Sequence, residues 1–190
     1  MDKPTSNSSL IFVKCLENSA AVVEYYLRGR DGSWMLDRSS GAYIGKNGLG
    51  KTAEGDLKTP EGEFGVRSAF GVKPDPGTAL PYIPVRGTTV ACDGEGPFYN
   101  QIVDESVTGP CPGERMSELV PEYNYGMALD YNPDNVYPLG SAIFFHCKGR
   151  KSWTGGCVAV DEEMMKHILL TCGPRPLVCI RAEENGEHPQ

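Results

Sequence analysis

The sequence has no apolar run long enough to cross a bilayer and no C-x-x-C pair among its seven cysteines. The first absence argues against a membrane span, and the second argues against the common zinc sites. A basic excess is also missing, because 18 Lys and Arg face 25 Asp and Glu, for a formal net charge of −7. Nucleic acids and anionic membranes bind basic faces, so neither is expected as a partner. We expect no metal and no cofactor.

Helical periodicity is also scarce, whereas glycine (23) and proline (15) are abundant. This composition favours short strands joined by tight turns. A length of 190 residues suits one well-cored domain, and no low-complexity linker divides the chain. We therefore predict a mainly β, β-rich α+β domain over residues 10–182, with a disordered leader over residues 1–9 and a polar tail over residues 183–190.

The local pattern predicts several strands and one clear helix. The helix is expected near residues 161–171, with Asp161 as the N-cap, Gly173-Pro174 as the stop and His167 as a solvent-facing cation in the last turn. Strands are expected at Leu10–Leu16, Ala20–Leu27, Ser33–Leu36, Glu63–Val66, Tyr82–Arg86, Thr88–Cys92, Tyr123–Tyr131, Gly140–Phe145 and Pro176–Arg181.

The segment Gly45–Thr52 matches the phosphate-loop pattern G-x-x-x-x-G-K-T literally. A phosphate loop needs a long helix directly after it, whose N-terminus completes the phosphate site. The residues that follow, Glu54-Gly55-Asp56 and Thr59-Pro60, do not form such a helix. We therefore predict a long ordered loop and reject nucleotide binding.

One pair of residues suggests chemistry. His146 ends an apolar run, and Cys157 follows Thr154-Gly155-Gly156 and precedes a second apolar run, Val158–Val160. An imidazole near a thiol is a common way to activate a nucleophile, and flexible glycines let the N–H groups of Gly156 and Cys157 point at one oxyanion. The alternative is a glycine-rich loop with an ordinary buried cysteine and a core histidine.

The loop between the two residues is basic, in contrast to the chain as a whole. Lys148, Arg150 and Lys151 are expected to favour a thiolate and to attract a substrate carboxylate, which the planar fork of Arg150 suits best. Trp153 is expected to pack against the aliphatic part of a substrate.

The cysteines cannot all pair, because their number is odd. Most of them lie in or beside apolar stretches and are expected to act as small buried apolar residues: Cys15, Cys92, Cys172 and Cys179. Cys111, between two prolines, is expected to be exposed. Unpaired cysteines favour a reducing setting, and a redox pair of Cys147 with Cys157 remains an alternative.

Several ordered segments together resemble the catalytic domain of the YkuD-type L,D-transpeptidases, from about Gly45 to Ile180. They are Gly45-Lys46-Asn47-Gly48, Glu54-Gly55-Asp56, Thr59-Pro60-Glu61-Gly62-Glu63-Phe64, Tyr99-Asn100, Gly140-Ser141-Ala142-Ile143-Phe144-Phe145-His146 and Thr154-Gly155-Gly156-Cys157-Val158. The chain differs from the common family motif at Cys147 and Ala159, where Gly and Arg are usual. We interpret these differences as a branch with a Gly-Cys-Val-Ala motif.

The resemblance implies a β-rich enzyme that acts on peptidoglycan stem peptides and has carbapenems as possible inhibitors. Cys157 would be the nucleophile, His146 the base, and Gly156 with Cys157 the oxyanion donors. Thr154 matches the Ser/Thr of the family motif, and Tyr99 and Asn100 match a segment that we expect to contact substrate.

Such an enzyme forms a thioester with a tetrapeptide stem, expels the terminal D-alanine and passes the acyl group to an amine, which gives a 3→3 cross-link. Hydrolysis by a carboxypeptidase or amidase with the same site, and a non-catalytic wall-binding module, remain alternatives. The location would be the cell wall if an export leader has been removed, and the cytoplasm otherwise, because the N-terminus has no apolar signal core.

Overall fold

The computed structural model describes residues 8–183, and the fold over this range is mainly β, as predicted. The strands are β1 (Ser9–Cys15), β2 (Ala20–Arg28), β3 (Trp34–Tyr43), β4 (Gly62–Phe64), β5 (Val66–Gly71), β6 (Tyr82–Pro84), β7 (Thr89–Cys92), β8 (Gln101–Asp104), β9 (Gly113–Arg115), β10 (Gly126–Leu129), β11 (Phe144–Cys147), β12 (Val158–Val160) and β13 (Pro176–Ala182). Except for residues 8, 9 and 183, the predicted leader and tail lie outside the described residues.

Within the described range, ten strands form one sheet in the order β4-β13-β1-β2-β3-β12-β11-β10-β5-β6. The chemistry depends on its centre, where β11 pairs in parallel with β12 and antiparallel with β10. Strand β10 lies within the strand predicted over 123–131, and β11 overlaps the end of the one predicted over 140–145. Both strands are shorter than expected, because residues 123–125 form turns and the backbone of Ala142 adopts a positive φ of 50°.

The main helix is α2 (Glu162–Thr171), which confirms the predicted helix; a four-residue helix, α1 (Glu105–Thr108), was not predicted. Asp161 has the extended backbone of an N-cap, but its carboxylate bonds Lys148 and Ser40 instead of capping the helix. The His167 side chain is less exposed than predicted, because its ring lies against Asp37 with 22% of the side chain exposed. The helix buries Met164, Met165, Ile168 and Leu169 against the sheet.

A second sheet of three strands, in the order β8-β7-β9, packs over the opposite face of the large sheet. A disulfide joins Cys92 at the end of β7 to Cys111, with the two Cα atoms 5.9 Å apart. This corrects the prediction that Cys92 acts as a free apolar side chain. The pairing could not be predicted from the sequence, because Cys111 lies in a loop between two prolines and only the tertiary fold brings this loop next to β7.

Apolar clusters pack on both faces of the large sheet. Side chains alternate along a strand, so Phe145 and Cys147 point to one face and Phe144 and His146 to the other. The first pair belongs to the main core beneath α2, whereas Phe144 packs in a smaller cluster under the three-stranded sheet. The catalytic candidates belong to this second face.

Strand β3 is the largest departure from the predicted strand limits, because it extends to Tyr43 instead of ending at Leu36. Its middle residues are polar and exposed, so no apolar alternation marks them in the sequence. Pairing with β2 along its whole length makes it a strand. In the part of the chain that the structure describes, no helix is long and apolar enough to cross a membrane.

Candidate active site

The register of two parallel strands brings His146 and Cys157 to one face of the large sheet. His146 pairs with Ala159, and Cys157 precedes Ala159 by two residues, so all three side chains point the same way. Cys147 points to the opposite face and packs in the main core. Both Cys147 and Cys157 are free thiols, and their opposite orientations give no support to the redox alternative.

The Cys157 thiol is buried, with 9% of the residue exposed. Its Sγ lies 3.3 Å from the Phe144 N–H, which donates to it, and 3.3 Å from the Ala142 carbonyl oxygen, to which the thiol donates. Burial raises the pKa of Cys157 to about 12, although the Phe144 N–H and the Lys51 charge act in the opposite direction. The resting thiol is therefore neutral, and a base would have to remove its proton before it could act as a nucleophile.

His146 has the tautomer that a base requires. Its Nδ1 lies 2.7 Å from the Cys147 carbonyl oxygen, which can only accept, so Nδ1 carries the proton and Nε2 has the free lone pair. The ring packs edge-on against Tyr123, with centroids 5.5 Å apart. Burial lowers the pKa of His146, despite opposing effects of the Cys147 carbonyl and the Glu122 carboxylate. At neutral pH the imidazole is thus uncharged and able to take a proton.

The turn before Cys157 is held by Thr154. Its hydroxyl donates to the Cys157 carbonyl oxygen at 2.6 Å and accepts from the Gly156 N–H at 3.1 Å. Gly156 has a φ of +148°, and a Cβ there would lie 2.8 Å from the Lys58 carbonyl oxygen, so only glycine fits. The predicted oxyanion donor on Gly156 is therefore already engaged with Thr154 in this conformation.

Cys157 and His146 line a cavity of about 400 Å³ between the two sheets. Charged groups of both signs surround them. The carboxylates are Glu54, Asp93, Glu114 and Glu122, and the ammonium groups are Lys51 and Lys151. Trp153, Thr154 and Gly156 also line the cavity. A cavity lined by carboxylates and by ammonium groups suits a substrate that carries both amines and carboxylates.

Of the three basic residues in the loop between His146 and Cys157, only Lys151 lines the cavity. Lys148 bonds Asp161 and lies 5.2 Å from the Tyr43 ring centroid, and Lys151 lies 4.5 Å over the Trp153 ring. Arg150 is exposed and lies outside the set of residues that line the cavity. The cation that lowers the pKa of Cys157 is Lys51, from a different loop. Substrate binding by Arg150 stays a prediction.

Tyr99 and Asn100 lie behind the cavity rather than in its lining. Tyr99 is 2% exposed, and its hydroxyl donates to Glu54. Asn100 donates to the carbonyl oxygens of Tyr131 and Asn132 and accepts from the Ala142 N–H at 3.0 Å. Asn100 also lines a second cavity of about 220 Å³, which shares Ala142 and Ile143 with the first. Both residues position loops, and direct contact with substrate stays a prediction.

Sequence reasoning missed three residues of the site: Lys51, Glu114 and Tyr123. Tyr123 packs on His146 and donates to Glu114 at 2.8 Å. Desolvation of the carboxyl group raises the pKa of Glu114 although the residue as a whole is exposed, and Asp93 and Glu54 add to the effect. No sequence pattern marked Glu114 or Tyr123. Lys51 was marked, because it belongs to the Gly-Lys-Thr triplet of the phosphate-loop pattern.

The family model for the L,D-transpeptidase catalytic domain, YkuD, matches residues 18–180. The match contains β11, β12 and the turn between them, and it confirms the resemblance over a longer segment than the sequence motifs had indicated. No curated protein matches the chain significantly.

Proposed function

The chain belongs to the L,D-transpeptidase catalytic-domain family, and we propose that Cys157 and His146 carry out acyl transfer on peptidoglycan stem peptides. The family supports an activity on peptidoglycan, and the geometry supports the two residues. The observation that carries the proposal is the common face of the sheet, where a buried thiol and an imidazole with a free Nε2 open into one cavity.

The reaction needs two transfers. In the first, the thiol proton moves to Nε2 of His146 as the sulfur attacks the carbonyl carbon of the stem peptide. The C–N bond then breaks, His146 returns the proton to the leaving D-alanine amine, and a thioester remains on Cys157. In the second, an acceptor amine gives a proton to His146 and attacks the thioester, so a new amide forms and the thiol is restored.

A neutral Cys157 thiol and a neutral His146 imidazole suit these two steps. Because burial keeps the thiol protonated and the imidazole uncharged, the proton must leave the sulfur while the C–S bond forms. The thiol now donates to Ala142 instead of His146, so it has to rotate before attack. Such a rotation is common, since catalytic hydrogen bonds often tighten only when substrate is bound.

The acceptor decides between transpeptidation and hydrolysis. The carboxylates of Asp93, Glu114 and Glu122 line the cavity and would attract an ammonium group, which favours an amine acceptor over water. Hydrolysis by a carboxypeptidase or amidase with the same two residues is the second candidate. The two differ in product, because an amine gives a cross-linked 3→3 dimer and water gives a free tripeptide acid.

Mass spectrometry tests the proposal. The wild-type protein, incubated with a tetrapeptide muropeptide or with a carbapenem, should gain one covalent adduct, and peptide mapping should locate it on Cys157. Cys157→Ala should gain none, whereas Cys147→Ala, which removes a thiol from the opposite face, should react as the wild type does. An adduct that persists in Cys157→Ala would overturn the assignment.

His146 needs its own test, because a core histidine would pack in the same way. His146→Ala should slow acylation by about two to four orders of magnitude, the usual share of general base catalysis. Binding of a stem peptide to the doubly substituted His146→Ala, Cys157→Ala protein should remain. Equal acylation rates for the wild type and His146→Ala would mean that the histidine is structural.

We also propose that the protein works outside the cytoplasm, where peptidoglycan lies. The Cys92–Cys111 disulfide supports an oxidising compartment, in contrast to the interpretation of the cysteines as unpaired. Fractionation of native cells with an antibody tests the location. A pool found solely in the cytosol would favour a role in recycling wall fragments instead.

A further inference from the structure

Lys51 is a buried cation that the catalytic steps described above do not use. Only 2% of its side chain is exposed, although lysines are almost never so deeply buried. It lies in the loop between β3 and β4, the segment with the phosphate-loop pattern. Its side chain lines the same cavity as Cys157 and His146.

Two glycines make room for this side chain. A Cβ on Gly140 would lie 2.4 Å from Cε of Lys51, and a Cβ on Gly156 would lie 3.7 Å from Nζ. Both glycines have positive φ, 110° and 148°. The lysine therefore passes between the segment that leads into β11 and the turn that carries Cys157, and its ammonium group lies directly beside the oxyanion turn.

The two hydrogen bonds of the Lys51 ammonium group do not use all of its N–H donors. Nζ donates to Asp56 Oδ1 at 3.0 Å and to the Ala53 carbonyl oxygen at 3.2 Å. An ammonium group has three N–H donors, so one donor is left among the described contacts. Asp56 is held in turn by the N–H groups of Thr52, Ala53 and Lys58. The loop thus fixes the ammonium group rigidly.

We infer that Lys51 is a further catalytic residue, whose ammonium group stabilises the negative charge that develops at the Cys157 sulfur and at the attacked carbonyl oxygen. The inference rests on the proposed acyl transfer. Of the two N–H groups expected to bind the oxyanion, that of Gly156 already donates to Thr154, so the Cys157 N–H is left and a second donor is needed. A fixed positive charge in a buried site fills that role without reorganisation.

The electrostatics of the cavity agree with this geometry. Lys51 is the cation that opposes the rise in the pKa of Cys157, whereas Glu114 adds to that rise. The other titratable groups that line the cavity are Glu54, Asp93, Glu122, Tyr123, His146 and Lys151. Since the carboxylates outnumber the ammonium groups, loss of Lys51 would leave the nucleophile in a strongly acidic environment.

A purely structural salt bridge is the alternative, in which Lys51 serves only to hold Asp56 and the loop. The two roles differ in one measurable property, the pH at which the Cys157 thiol ionises. A structural lysine would change the melting temperature and leave the reactivity of a correctly folded thiol unchanged. A catalytic lysine would shift the thiol titration as well as the acylation rate.

The test compares Lys51→Met with Lys46→Met, an exposed lysine of the same loop. Lys51→Met should lower kcat for acylation by about 100-fold or more, the usual cost of removing one oxyanion donor, with little change in KM. Lys51→Arg should recover part of the rate. The rate of iodoacetamide alkylation of Cys157 against pH should shift to higher pH in Lys51→Met only.

Folding is controlled with a second variant, because Lys51→Met leaves the Asp56 carboxylate without its cation. The double variant Lys51→Met, Asp56→Asn removes both charges and should show the same alkaline shift of the thiol. An unchanged alkylation profile in the folded double variant would overturn the inference. Alkylation needs no stem peptide, so the two proposals can fail separately. If the wild type forms no thioester but Lys51→Met still shows the alkaline shift, the proposed function is refuted while the electrostatic role of Lys51 stands.

Discussion

The Cys157 thiol donates to the carbonyl oxygen of Ala142, which lies 3.3 Å from Sγ. Ala142 presents this oxygen because its backbone adopts a φ of 50°, a conformation that L-residues disfavour. The Asn100 side chain holds it there by accepting from the Ala142 N–H at 3.0 Å. A residue that the sequence suggested as a substrate contact thus acts on the nucleophile through the backbone.

Asn100→Ala should therefore destabilise the protein and slow acylation together. The loss of several hydrogen bonds, each worth about 1 kcal/mol, should lower the free energy of unfolding by about 2 to 3 kcal/mol. Acylation of Cys157 should slow at saturating substrate, because the Ala142 backbone that contacts the thiol loses its hydrogen bond to Asn100. Denaturant unfolding and acylation kinetics check both effects. The control is Asn18→Ala, at an exposed position that also has a positive φ but is distant from Asn100 in the sequence. This variant should leave the acylation rate unchanged.

Thr154→Val should impair the oxyanion turn although the two side chains have nearly the same shape. Valine can neither donate to the Cys157 carbonyl nor accept from the Gly156 N–H, so the Gly156 N–H loses this partner and the carbonyl keeps the longer bond from the Thr59 hydroxyl, at 3.5 Å. We expect a loss of about 1 to 3 kcal/mol in the free energy of unfolding and slower acylation. Thr154→Ser keeps the hydroxyl and should retain most of both. Equal behaviour of the two variants would contradict this role.

The pH dependence of acylation should follow His146. Burial lowers its pKa below the usual 6.5, so the imidazole stays a competent base at pH 7 and is lost only in a more acidic range. The acid limb of kcat/KM for acylation should accordingly have its midpoint below pH 6.5. A midpoint above 6.5, measured between pH 4 and 9, would contradict the neutral pair.

The same shift links His146 to stability. Because the folded state binds a proton less readily than the unfolded state, its contribution is fully present above pH 6.5 and declines as the pH falls below that value. Melting temperatures recorded over this range should fall more steeply for the wild type than for His146→Gln.

The Cys92–Cys111 disulfide should stabilise the sheet that covers the cavity. It closes a loop with a sequence separation of 19, for which the loss of chain entropy corresponds to about 3 kcal/mol. Reduction by dithiothreitol, or the substitution Cys111→Ser, should lower the free energy of unfolding by about that amount. Cys179→Ser removes a thiol that forms no disulfide, so this variant should lose stability on reduction as the wild type does, whereas Cys111→Ser should not respond to the reductant.

The sequence was sufficient for the local features of this protein. The apolar runs before His146 and after Cys157, the Thr-Gly-Gly turn and the helix after Asp161 each depend on neighbouring residues, so strand, turn and helix are all visible in the pattern. The family followed from the order of such segments. The loop over Gly45–Thr52 was also predictable, because the proline and glycine residues after it exclude a helix.

The tertiary structure alone decided which groups meet at the cavity. Strand register places His146 and Cys157 on one face and sends Cys147 to the other, and a shift by one residue would reverse this. Lys51, Tyr123 and Glu114 come from separate parts of the chain, and burial, not residue type, sets the pKa of the thiol and of the imidazole. Burial and proximity are properties of the packed chain, and no short stretch of sequence contains them.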